Sequence, residues 1–114
     1  MDRTINKYLA DILIAIEDIE SFVERNSRQY SAFIADIMFK SAVERKIGII
    51  GEALNQALKL DSTLQISDAR KIVGTRNYVI HAYDSLRPDM LWGIVINDLP
   101  LLKNEVKALL SNKA

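Results

Sequence analysis

The chain has no cysteine, only four glycines and two prolines, and a single histidine among its 114 residues. Without thiols it can form neither disulfides nor thiolate metal sites, and it suits a reducing compartment, so a cytoplasmic location is expected. So few glycines and prolines leave no linker or low-complexity stretch, and no internal repeat stands out. One domain spanning residues 1–114 is therefore expected. No run of about 18 uncharged apolar residues exists, which argues against a membrane span. Asp2, Arg3, Lys7 and Asp11 interrupt the N-terminal apolar residues, so no signal peptide is expected. An excess of one charge sign is missing too. Fifteen Lys plus Arg balance fifteen Asp plus Glu, giving a formal net charge of zero. A whole-surface attraction to nucleic acid is thus unsupported. A local imbalance remains between residues 70 and 87, where Arg70, Lys71, Arg76 and Arg87 face only Asp84, four minus one or +3. A solvated helix face would read the same way.

What the chain has is apolar residues, 49% of the total, at helical spacing. Ile5, Tyr8, Leu9, Ile12, Ala15, Ile16, Ile19, Phe22 and Val23 paint one stripe on a first helix over residues 3–25. A second helix is expected from an N-cap at Ser31 to about Leu60, through Phe33, Ile37, Ala42, Val43, Ile47, Ile50, Leu54 and Leu58. That is about 30 residues, or ~45 Å. Asp61, Ser62 and Thr63 mark a turn. A third helix opens at Ser67, with Asp68 in its first turn, and runs to about Tyr83. Pro88 opens the fourth, and Pro100 should kink or split it near Leu99. The spacing predicts an all-α fold, an up-and-down four-helix bundle with a kinked or split last helix. Gly48, Gly51, Gly74 and Gly93 all fall inside helices, where glycine costs about 1 kcal/mol relative to alanine. Close approach of helix backbones is the expected reason.

The candidate chemistry lies in Arg76-Asn77-Tyr78-Val79-Ile80-His81-Ala82-Tyr83. Histidine can take and give a proton near neutral pH. Arginine is a permanent cation whose donor fork matches phosphate oxygens. The two lie less than two helical turns apart, and together they suit chemistry on a phosphodiester. At about 100° per residue, Asn77 and His81 share a helix face, whereas Arg76 and His81 stand about 140° apart. Two such helices facing across a two-fold axis could bring the Arg of one copy to the His of the other, so a homodimer is expected. His81 would draw the proton from a ribose 2′-OH or protonate the leaving 5′-oxygen. Arg76 would neutralise charge building on the non-bridging oxygens. Asn77 could orient the imidazole, and Tyr83 could stack on a base. The plain structural alternative is a histidine near a helix C-terminus and an Arg76 paired with Glu52 or Asp84.

The same stretch resembles the motif of the HEPN superfamily, an Arg and a His separated by four to six residues. The added Tyr83 resembles the HepT branch, toxins of HEPN/minimal-nucleotidyltransferase (MNT) systems. The segment from Ala42 to Leu54 is similar to that branch's helix 2, and Leu91-Trp92 with Asp98-Leu99-Pro100-Leu101-Leu102 to its last helix. The resemblance implies a helical bundle that dimerises, with Arg/His pairs in the dimer cleft. It implies a metal-independent endoribonuclease toxin of a type VII-like toxin–antitoxin system, acting on RNA with no cofactor and no metal. Arg76, His81 and Asn77 carry over as catalytic or supporting groups. Tyr83 carries over as the acceptor of AMP from a nucleotidyltransferase antitoxin, a modification that would put bulk and negative charge beside Arg76. Glu44 and Glu52 also match, and Glu52 could hold a motif arginine in place. The alternative function is a non-catalytic helical dimer that binds a nucleotidyltransferase partner or a nucleotide.

Overall fold

The computed structural model describes residues 3–81 and 87–111, with side chains described at 3–75 and 87–111. Its elements are α1 (Arg3–Arg25), α2 (Tyr30–Ala35), α3 (Ile37–Leu60), α4 (Ala69–His81), α5 (Pro88–Gly93), a π-helical turn (Ile94–Asp98) and α6 (Leu99–Ser111). No strand occurs among the described residues. The chain is the expected all-α bundle: α1 packs on α3 and α6, and α3 packs on α4. The row formed by α5, the π turn and α6 makes up the fourth rod.

The first helix has the bounds its stripe predicts. Ile5, Leu9, Ile12, Ala15, Ile16, Ile19 and Val23 are buried, with Tyr8 and Phe22 packed at the edge. They meet Phe39, Val43, Ile47, Ile50 and Leu54 from α3 and Leu99, Leu102 and Val106 from α6 in one continuous core.

The single long second helix is corrected to two. It starts at Tyr30, not after a Ser31 cap, and the preceding Gln29 makes no side-chain cap. It breaks at Asp36, whose backbone is extended and whose Oδ1 accepts from the N–H of Met38 (2.9 Å) and of Phe39 (3.2 Å). An aspartate cap of this kind contributes about 1 kcal/mol. The break turns Ile37 outward to 74% exposure, although its spacing from Phe33 places both on one face of an unbroken helix.

Asp68 also sits outside its helix, which begins at Ala69; the Asp68 carbonyl accepts from the N–H of Ile72. Pro88 stands at the start of α5 as predicted. Pro100 has its effect one turn upstream. It has no N–H to give the carbonyl of Ile96, and its ring crowds that carbonyl. The turn before it widens instead: the N–H of Leu99 reaches the carbonyl of Ile94, five residues back. The rod therefore continues without a break, and Asp98 in the wide turn is buried.

The expectation of close backbone packing does not hold at Gly74 and Gly93. Among the described residues, a Cβ at Gly74 would meet nothing within 4 Å, and one at Gly93 would meet only Asn97 Nδ2, at 4.0 Å. Gly48 and Gly51 are buried on α3.

Candidate active site

Helix α4 carries the motif, and three contacts fix where it starts. Ser67 donates its hydroxyl to Glu105 Oε2 on α6 (2.7 Å) and its backbone N–H to the same carboxylate (3.1 Å). Ile72, 1% exposed, plugs the helix into the core. Lys71 Nζ lies 2.8 Å from Asp98 Oδ2 on the π turn. At that distance the ammonium and the carboxylate form a hydrogen-bonded ion pair. Inside the helix, Thr75 donates its hydroxyl to the carbonyl of Ile72 (2.6 Å), a bond that removes a buried polar group from water without loss.

These contacts tie the start of the helix to α6 and the π turn, while α4 packs along α3. Neither Ser67–Glu105 nor Lys71–Asp98 was visible in the sequence, because the partners are far apart along the chain. The only local hint was a run of charged and hydroxyl residues around the helix start.

The Lys71–Asp98 pair makes a pH prediction. The neighbouring Asp98 carboxylate raises the Lys71 ammonium above its ordinary value through a hydrogen bond and then through charge, and Asp68 adds to it. A raised lysine stabilises the fold fully below its unfolded value, about 10.4, and that contribution fades as pH rises through the folded value. The lysine side chain is 59% exposed and the aspartate 10%, so screening limits the pair and most of the loss comes from leaving Asp98 unpaired. Lys71→Met should lower stability by about 1 kcal/mol in urea titrations at neutral pH. The difference from the parent should shrink above about pH 10. A difference that grew in alkali would contradict the pairing.

Arg76, Asn77 and His81 all lie within α4. The helical backbone sets Asn77 and His81 about 40° apart and Arg76 about 140° from His81. Their side chains, and all of Tyr83 and Asp84, lie outside the described residues. Glu52 sits half-buried on α3, the helix against which α4 packs, and accepts from Gln56 Nε2 at 3.1 Å. It lines a cavity of about 380 Å³ between α1 and α3, with Tyr8, Asp11, Lys46 and Gln56. Glu44 is half-buried on the same helix. Among the described residues, no helix is long and apolar enough to cross a membrane.

Comparison with known proteins converges on one family. The family model described as "Ribonuclease HepT-like" matches residues 12–109. A protein of Methanocaldococcus jannaschii named "Putative RNase MJ1380" is 34% identical over 107 residues, covering 92% of this chain and 95% of that one. A "Probable ribonuclease HepT" of Thermococcus cleftensis is 34% identical over 113 residues, covering 96% and 98%. A "Putative RNase TTE0752" of Caldanaerobacter subterraneus is 26% identical over 113 residues, covering 97% and 98%. No solved structure is a significant match. The helical bundle, the Arg/His motif on one of its helices and these full-length matches agree: this chain belongs to the HepT-like ribonuclease family of the HEPN superfamily.

Proposed function

We propose that the protein is an endoribonuclease toxin of the cytoplasm that cleaves RNA without a metal, at a site shared by two copies of the chain. Membership of a ribonuclease family supports the substrate class. The observation that carries the shared site is the register of α4. Arg76 and His81 fall on one helix, about 140° apart, so a single copy separates the two groups around the axis. Two copies related by a two-fold axis let the Arg76 of each meet the His81 of the other.

The reaction follows from those groups. One His81 imidazole accepts the proton of a ribose 2′-OH, and the 2′-oxygen forms a bond to the adjacent phosphorus. The bond from phosphorus to the 5′-oxygen breaks, and the same His81, now protonated, returns that proton to the leaving 5′-oxygen. Arg76 neutralises the charge that accumulates on the non-bridging oxygens, an effect that grows toward the transition state. Asn77 orients the imidazole. The products are a 2′,3′-cyclic phosphate and a 5′-hydroxyl.

Tyr83, two residues beyond His81, is the proposed control point. A minimal nucleotidyltransferase antitoxin moves AMP from a nucleoside triphosphate to its hydroxyl, and pyrophosphate leaves. The new phosphate competes with RNA for Arg76.

Cleavage of RNA in the presence of a chelator tests the reading. Parent protein should cut and His81→Ala should not. Equal cleavage by both, or none by the parent when it is free of nucleotide modification, would overturn it. The intact mass of protein co-expressed with a neighbouring nucleotidyltransferase should rise by AMP, and Tyr83→Phe should abolish that rise.

A further inference from the structure

We infer that the groove between α4 and the α5–π segment is an RNA-strand subsite, in which Arg70 binds a backbone phosphate a few nucleotides from the bond that is cut. This rests on the ribonuclease reading above and extends its substrate site along α4.

The groove is a cavity of about 440 Å³, within the range of sites that take nucleotide-sized ligands. Its two walls are joined by the Lys71–Asp98 pair. Lys71 is committed to that pair. Arg70, beside it, is exposed and has no carboxylate in ion-pair range among the described residues. A guanidinium in that setting is suited to a phosphate. Asn97, exposed on the opposite wall, offers an amide that can both donate and accept. Met90, 46% exposed, gives apolar surface for a base or ribose face.

The glycines are the most telling feature. Gly74 and Gly93 face the groove from opposite walls. Each sits in a helix at a cost of about 1 kcal/mol relative to alanine. Among the described residues, packing demands neither of them: a Cβ at Gly74 meets nothing within 4 Å, and at Gly93 only an ordinary contact. What a side chain at either position would take up is the groove itself.

The register then ties the groove to the motif. At about 100° per residue, Arg70, Gly74, Asn77 and His81 fall within about 60° of the α4 circumference. Arg70 stands about 17 Å from His81 along the axis, at 1.5 Å per residue. A single RNA strand running along this stripe would pass from the His81 position to the groove.

The test measures binding apart from cleavage. In full-length His81→Ala protein, the affinity for a single-stranded RNA oligonucleotide is read by fluorescence anisotropy over a series of salt concentrations. Adding Arg70→Ala should weaken binding and lower the slope of log affinity against log salt by about 0.7, the value for one lost single-strand phosphate contact. Adding Gly74→Leu should weaken binding at least tenfold while the thermal midpoint does not fall. Unchanged affinity and slope in both variants would overturn the subsite, and so would a loss seen with free AMP but not with the oligonucleotide. Should the parent protein fail to cut RNA, the ribonuclease reading falls, yet the binding series still decides the groove. If the parent cuts and both variants bind normally, the groove falls and the ribonuclease reading stands.

Discussion

His81→Ala should reduce the rate of RNA cleavage by about 10²- to 10⁴-fold, the range that a positioned general acid–base supplies. Because one His81 serves first as base and then as acid, the loss lies at the upper end. Arg76→Ala should cost about 10²- to 10³-fold, the scale for removing one group aimed at developing transition-state charge. Groups that act as a unit are not additive, so the double variant should be little worse than the poorer single one. Arg76→Lys keeps the charge but not the planar fork, and should recover only part of the rate. Single-turnover cleavage of a defined oligonucleotide measures all four. His81→Ala with more than a tenth of the parent rate would contradict the assignment. Alanine is the best helix former, and α4 is held by Ser67, Lys71 and Ile72 upstream, so the thermal midpoint should stay near that of the parent.

Phe33→Ala should remove about 3–5 kcal/mol of folding stability, the usual cost of truncating a buried phenylalanine. Phe33 is the one buried residue of α2 and is fully enclosed. Its ring meets Phe39 of α3 edge-on, with centroids 5.1 Å apart, and Trp92 of α5 at 5.2 Å. It therefore ties three elements at one point. A six-residue helix such as α2 has no stability of its own and exists because this ring is anchored. A loss of that size is a large share of the 5–15 kcal/mol typical of a whole domain. Denaturant titration of Phe33→Ala checks it, with Phe33→Leu expected to recover most of the loss. A cost below about 1 kcal/mol would show that the cluster is not what holds α2 and α5 in place.

Much of the fold was legible because helical periodicity is local. The α1 stripe predicts both of its ends and seven buried residues, since every apolar position on it faces one partner surface. The break at Asp36 was hidden for the same reason: Phe33 and Ile37 are four apart and read as one stripe. Only the aspartate's bonds to two backbone N–H groups reveal that the chain restarts there. The effect of Pro100 was legible, but its form as a widened turn ending at Leu99 was not, because widening and breaking both relieve the same missing donor. The glycines misled. Their helical cost was readable, whereas the open space at Gly74 among the described residues is a property of two elements that meet only in the fold. At the site, the motif's place on one helix could be read from the sequence. The tethers that hold this helix, Ser67 to Glu105 and Lys71 to Asp98, join residues distant in the chain and could not.

The shared site is tested most directly by mixing Arg76→Ala and His81→Ala proteins after each has been unfolded and refolded together with the other. Half of the dimers formed at random carry one of each chain, and in these one site joins an intact Arg76 to an intact His81 while the other has neither. The mixture should regain about a quarter of the parent cleavage activity, since half of the dimers have one of two sites restored. Activity no higher than that of the separate variants would contradict a site built from two copies.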